Sequence, residues 1–197
     1  MAAVMTAILL FIVPNVTNAL NINNLEQQQL ECIEMAYNEG NKIELYGTVW
    51  GETVASIAYQ ESWCNSSRWQ TNGLVVGDLN KKGKPRSLGI MQVRLSTAKY
   101  VNRKYPHIFK EKYGNRKPKD EELIVDLLID NRFNIKVGVH YYMSMLKLKN
   151  GKWSDSILAY NRGPNGKGDP NDYVRRVKKW RKEVILKVIR RLYDGKD

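Results

Sequence analysis

Val54-Ala55-Ser56-Ile57-Ala58-Tyr59-Gln60-Glu61-Ser62 is the stretch whose reading decides the fold and site of this chain. An apolar, helix-compatible run leads directly into a carboxylate. A carboxyl group that ends a mostly buried helix is poorly hydrated, so its neutral form is favoured and its pKa rises. Such a group can donate a proton near neutral pH, as an ordinary exposed glutamate cannot. Two segments downstream complete the pattern: Ser87-Leu88-Gly89-Ile90-Met91-Gln92-Val93 and Ala159-Tyr160-Asn161-Arg162-Gly163-Pro164.

Periodicity places a helix over about Thr48 to Gln60 and another before it, Asn24 to Asn38, with Leu25, Ile33, Ala36 and Tyr37 among its apolar positions. Cys64 to Leu88 lacks helical periodicity and holds Gly73, Gly77, Gly83 and Pro85. It reads as an irregular insertion with a small hairpin around Leu74-Val75-Val76. Further helices are expected over Ser96 to Lys104, Asp120 to Ile129, Asn131 to Leu148, Asp155 to Asn161 and Tyr173 to Tyr193. Pro106, Gly114 and Pro118 mark a connecting segment, Gly163 to Pro170 a loop, and Asp172 a helix cap. The fold class is all-α, a single helical domain with one irregular, hairpin-bearing insertion.

At 197 residues the chain suits one well-packed domain. Its net charge of +12 favours a polyanionic partner, whether nucleic acid, anionic lipid or a cell-wall polymer. The charge is uneven: no Lys or Arg precedes Lys42, while Glu26, Glu31, Glu34 and Glu39 make that stretch negative. Met1 to Ala19 carries an apolar run from Ala7 to Val13, then Pro14 and Thr17-Asn18-Ala19. It reads as a secretory signal cut after Ala19, with an uncleaved anchor as the alternative, and points to a periplasmic or secreted protein. Cys32 and Cys64 match no zinc or redox spacing. They either pair in an oxidising compartment, adding roughly 3–4 kcal/mol, or are two small buried side chains. His107 and His140 are too isolated to suggest a metal, and His140 is expected to pack within its helix. On the last helix Val177, Trp180, Val184, Val188 and Leu192 share one face, and basic residues from Arg175 to Lys196 fill the rest. Such a helix can lie on an anionic membrane or bind nucleic acid; the expectation is that its stripe completes the core.

Taken in order, Glu61-Ser62, Gly89-Ile90-Met91-Gln92, Asn134-Ile135 with Gly138 and Tyr142, Ala159-Tyr160-Asn161 with Gly163, and Tyr173-Val174 resemble the catalytic domain of soluble lytic transglycosylases. These are relatives of goose-type lysozyme, and the resemblance runs from about Tyr46 to Trp180. It implies a lysozyme-like (α+β) helical fold acting on peptidoglycan glycan strands, as a monomer with no cofactor and no metal. Glu61 would serve as the catalytic acid and then base in cleaving the β-1,4 bond between N-acetylmuramic acid and N-acetylglucosamine, closing a 1,6-anhydro ring. Ser62, Gly89, Met91, Gln92, Tyr160 and Asn161 would surround the substrate. Gly89 would allow close backbone approach, Met91 an apolar wall, Gln92 hydrogen bonds to sugar groups, Tyr160 a hydrogen bond to the carboxyl, and Asn161 substrate orientation. For Ser62 a helix-end hydrogen bond is the more natural role than that of nucleophile, and Tyr142, Tyr173 and Trp180 are expected to pack.

Ile90 stands where the family usually has Leu, and Arg162 where a small residue is usual. Arg162 either meets a lactyl or peptide carboxylate or is simply solvated. Asp78, in the insertion from Trp69 to Arg86, is either a turn former or an activator of water. The second role would make the protein a hydrolysing goose-type muramidase. A non-catalytic wall-binding part of a phage or secretion machine is the rival from another class, and nucleic-acid binding has charge but no motif behind it.

Overall fold

The computed structural model describes residues 22–81, 83, 85–166 and 172–194. The secretory-signal reading of Met1 to Ala19 lies outside these residues, as does the second half of the loop expected over Gly163 to Pro170. Helix α1 (Gln27–Asn41) packs along α2 (Gly51–Ser62), the helix that carries Glu61. The two backbones nearly touch where Gly40 meets Gly51: a Cβ on Gly40 would lie 2.8 Å from the Gly51 Cα. The Gly51 amide donates to Asn41 Oδ1 at 2.9 Å, so a side chain from α1 supplies the N-terminal acceptor that α2 lacks.

Between them lies a short hairpin, β1 (Glu44–Leu45) with β2 (Thr48–Val49), turned at Tyr46 and Gly47, both with positive φ. Thr48 and Val49 therefore belong to a strand, and the expected start of α2 at Thr48 moves to Gly51. A second hairpin, β3 (Gln70–Thr71) with β4 (Leu74–Val75), turns at Asn72-Gly73. It lies where the insertion was expected to hold one.

Six helices follow: α3 (Leu95–Lys104), α4 (Pro106–Tyr113), α5 (Asp120–Ile129), α6 (Asn131–Leu148), α7 (Trp153–Arg162) and α8 (Asp172–Trp180). A π-helical turn (Arg181–Ile185) links α8 to α9 (Leu186–Tyr193). The sequence reading of 106–118 as a connector is corrected by α4. Pro106 occupies the first turn of a helix, where its missing N–H costs nothing, and Ile108, Phe109 and Tyr113 are buried. Asp172 begins α8 instead of preceding it.

The core gathers around α6, whose Ile135, Val137, Val139, Tyr142 and Leu146 are buried. The last helical segment closes it with Val177, Trp180, Val184, Ile185 and Val188, leaving Arg175, Lys178, Lys182, Lys187 and Arg190 exposed. Its apolar stripe is thus occupied by the core. Cys32 and Cys64 are free thiols, and both are buried. Burial pushes the Cys64 thiol's pKa up. Among the described residues no helix is long and apolar enough to cross a membrane.

Candidate active site

The end of α2 is held in an unusual conformation. Trp63, Cys64 and Asn65 all have left-handed backbones, at φ 50°, 50° and 64°, which side chains with a Cβ adopt at some cost. Local bonds hold them there. The Asn65 amide donates to Ser62 Oγ (3.1 Å), Gln29 Nε2 reaches the Trp63 carbonyl (2.8 Å), and Gln70 Nε2 reaches the Asn65 carbonyl (2.9 Å). Ser62 Oγ also donates to the Ala58 carbonyl at 3.3 Å, and the residue is fully buried. Ser62 therefore fixes the helix end and does not line the cleft, unlike Gln92, Tyr160 and Asn161.

Glu61, one residue earlier, lines a cleft of about 950 Å³ together with Gln92, Tyr160, Asn161 and Asp78. The residue keeps a partly exposed edge, but protein crowds its carboxyl group. That burial raises the pKa to about 7, against smaller opposing effects from a hydrogen bond to Tyr173 and the charges of Arg176 and Arg94. The Tyr173 hydroxyl donates to Glu61 Oε1 at 2.5 Å. Burial, with the neighbouring Glu61 charge, pushes the Tyr173 phenol's pKa well up, so it remains a donor. Next door, Gln60 Oε1 accepts from Trp180 Nε1 (2.9 Å) and Arg176 Nε (3.1 Å), fastening the last turn of α2 to α8.

The opposite wall is the segment from Ser87 to Val93. Leu88 and Val93 exchange backbone bonds of 3.0 and 2.9 Å, making a tight loop with Gln92 at φ 49°. Gln92 is clamped inside it: Ser87 Oγ donates to its Oε1 (2.6 Å), and its Nε2 donates to the Gly89 carbonyl (2.9 Å). Gly89 has φ 67°, and a Cβ there would sit 2.2 Å from the Leu127 carbonyl oxygen and 2.3 Å from Asn134 Nδ2. The close approach that requires glycine is to α5 and α6, whereas the expectation was approach to a sugar. Met91 is likewise turned inward. Its side chain is fully buried against Gly138, where a Cβ would lie 2.7 Å from the Met91 Cβ.

A family model described as the transglycosylase SLT domain matches residues 41–182, a span that includes Glu61, the Gln92 loop, Tyr160 and Tyr173. The chain belongs to the transglycosylase SLT-domain family. Comparison with curated proteins and with solved structures finds no match. The family makes the domain a lytic transglycosylase type of enzyme with peptidoglycan as its substrate class.

Within the SLT domain, the motif around Asn134 acquires a physical meaning that sequence alone did not supply. Asn134, fully buried, accepts from the Met91 amide (2.8 Å) and donates to the carbonyls of Leu88 (2.8 Å) and Leu127 (2.9 Å). One amide side chain thus hangs the Gln92 loop on α6. Sequence reasoning gave the carboxyl contact to Tyr160 and packing to Tyr173. In the structure the Tyr160 hydroxyl donates to the Met91 carbonyl at 2.8 Å, and Tyr173 is the carboxyl's partner. Tyr160 still lines the cleft beside Tyr141, ring centroids 5.4 Å apart, and exposed Asn161 follows it. Arg162 lines the cleft as well. His140 sits in a ring cluster with Tyr105 and His107, and its Nδ1 lies 2.9 Å from the Lys136 carbonyl. Among the described residues no group of three or more His, Cys, Asp or Glu side chains is placed to hold a metal ion.

Proposed function

We propose that this SLT domain cleaves the β-1,4 bond between N-acetylmuramic acid and N-acetylglucosamine without adding water. The observation that carries the reading is the Glu61 carboxyl, with a pKa raised to about 7 and lining the cleft. Protonated, it gives its proton to the glycosidic oxygen as the bond to the muramyl anomeric carbon breaks. The carboxylate left behind keeps the Tyr173 hydroxyl as a donor, which stabilises the charge at the moment it forms. It then takes the proton of the muramyl 6-hydroxyl as that oxygen attacks the anomeric carbon. Glu61 ends protonated, ready for another cycle, and the product carries a 1,6-anhydro end. One carboxyl suffices because the nucleophile is part of the substrate; glycosidases that use water or a covalent intermediate ordinarily need two.

Gln92, clamped by Ser87 and Gly89, presents a fixed edge to the bound strand, and Asn161 offers an exposed amide on another wall. The basic surface of α8 and α9 suits an anionic wall polymer, and the leader-like Met1 to Ala19 supports action in the cell envelope after export. We take the active form to be a monomer. A second reading has one observation in its favour: Asp78 lines the same cleft, as a water-activating carboxylate of a muramidase would.

Digestion of purified sacculi in heavy-oxygen water separates the readings. Muropeptides ending in anhydromuramic acid, free of label, are expected from the intact chain. Labelled reducing ends would give the role of nucleophile to water and make Asp78→Asn the inactive variant. Intact sacculi that nevertheless retain the protein would leave only wall binding.

A further inference from the structure

The acid–base cycle gives no task to Arg94, which lines the cleft together with a second arginine, Arg162. Arg94 is exposed, lines the cleft beside Glu61, and lies close enough for its charge to act on that carboxyl. Its backbone is fixed on both sides. The Leu88–Val93 pairing immediately precedes it, and its own carbonyl accepts from Ala98 in the first turn of α3 at 2.9 Å. Some arginines elsewhere in the domain are engaged, Arg181 with Glu52, Arg116 with Glu122 and Arg176 with Gln60, and none of these lines the cleft. Among the described residues Arg94 makes no ion pair and no side-chain hydrogen bond. Neither carboxylate of the cleft neutralises it. Glu61 is bonded to Tyr173 and about half of it is protonated at neutral pH, and no salt bridge joins Arg94 to Asp78.

A guanidinium held open in this way presents a planar fork of donors that matches a carboxylate. The neighbouring wall residues Ser96 and Thr97 add hydroxyls on the same side of the cleft. In the wall polymer the acids reside on the muramyl substituent. The lactyl group is a carboxylate when the stem peptide is absent, and the peptide brings its own acids when present. We propose, resting on the transglycosylase reading above, that Arg94 binds a carboxylate of the muramyl substituent next to the cleaved bond and makes the enzyme selective for anionic over neutral glycan. Arg94 is thereby a substrate-recognition residue, and its contact is made before bond cleavage as well as during it.

The test uses three substrates: peptide-bearing strands, peptide-free strands with free lactyl carboxylates, and both kinds after conversion of their carboxylates to methylamides. The intact chain is expected to favour charged over neutralised strands roughly tenfold in kcat/KM, mainly through KM, as a charge-assisted bidentate contact allows. Arg94→Gln is expected to lose that preference and Arg94→Lys to keep part of it, with both variants checked for an unchanged thermal unfolding midpoint. A preference confined to peptide-bearing strands assigns the acid to the stem peptide; one seen on peptide-free strands assigns it to the lactyl group. The same charged-to-neutral ratio in Arg94→Gln and the intact chain would overturn the inference while leaving the transglycosylase reading in place. Failure of the intact chain to cleave any strand would overturn both.

Discussion

Glu61→Gln is expected to lower the rate of sacculus cleavage at least about 10³-fold while increasing stability at alkaline pH. The rate loss follows from removing the one group that the proposed mechanism asks both to give and to take a proton; positioned general acid–base groups commonly contribute about 10²–10⁴-fold. The stability gain follows from the raised pKa. The folded state, with Glu61 at about 7 against an ordinary value of 4.5, binds this proton more tightly than the unfolded chain. Its stabilising contribution is therefore fully present below pH 4.5, falls as pH rises, and is lost once pH passes 7. A shift of this size corresponds to roughly 3 kcal/mol. Glutamine has nearly the same shape and no proton to lose. Denaturant titrations of both proteins should show the variant gaining about 3 kcal/mol on the intact chain between pH 4 and pH 8. A stability difference independent of pH would mean that Glu61 is hydrated like a surface glutamate.

Asn134→Leu is expected to be the most damaging single change to the fold. It keeps approximate volume but leaves the Met91 amide and the Leu127 carbonyl without this partner, while the Leu88 carbonyl keeps only the Val93 amide. Each buried group left unsatisfied costs about 1–3 kcal/mol. A total of about 3–5 kcal/mol is expected, a large fraction of the roughly 5–15 kcal/mol that keeps a domain folded. For a chain of this size that lowers the melting midpoint by roughly 10 °C or more. The Gln92 loop hangs on these same bonds, so cleavage should weaken even at temperatures where the variant is folded. Thermal unfolding followed by circular dichroism measures the first effect, and a loss below about 1 kcal/mol would contradict the role assigned to Asn134.

The sequence carried the helices that have a clean apolar stripe, α5 and α6 above all, and the carboxylate that ends α2. It carried less where tertiary contacts decide. Thr48 and Val49 continue the helical pattern of α2, yet the Tyr46-Gly47 turn pairs them with Glu44 and Leu45. Pro106 reads as a break until it is placed at the first position of a helix whose Phe109 and Tyr113 pack on Phe133. At the site, sequence identified the motifs but not which atoms meet. Tyr160 and Tyr173 are both tyrosines inside motifs, and only the packing of α8 on α2 determines that Tyr173 reaches Glu61. Gly89, Met91 and Ser62 lie next to the residues lining the cleft in sequence, and so read as substrate contacts. Their side chains or backbone instead face Asn134, Gly138 and the left-handed turn at Asn65. Arg94 gave no signal of its own, because an arginine after a site loop is ordinarily solvated. What distinguishes it is a shared cleft and the absence of a partner among the described residues, both of which are properties of the folded chain.

The proposed mechanism depends most on how tightly the Glu61 carboxyl holds its proton. Carbon-13 labelling of the glutamate side chains, with the Glu61 resonance assigned by its absence in Glu61→Gln, allows that one group to be titrated by NMR. A midpoint near 7 is expected. A midpoint near the ordinary 4.5 would mean a carboxyl already ionised at neutral pH, unable to act first as the acid, and would contradict the proposed mechanism at its starting step.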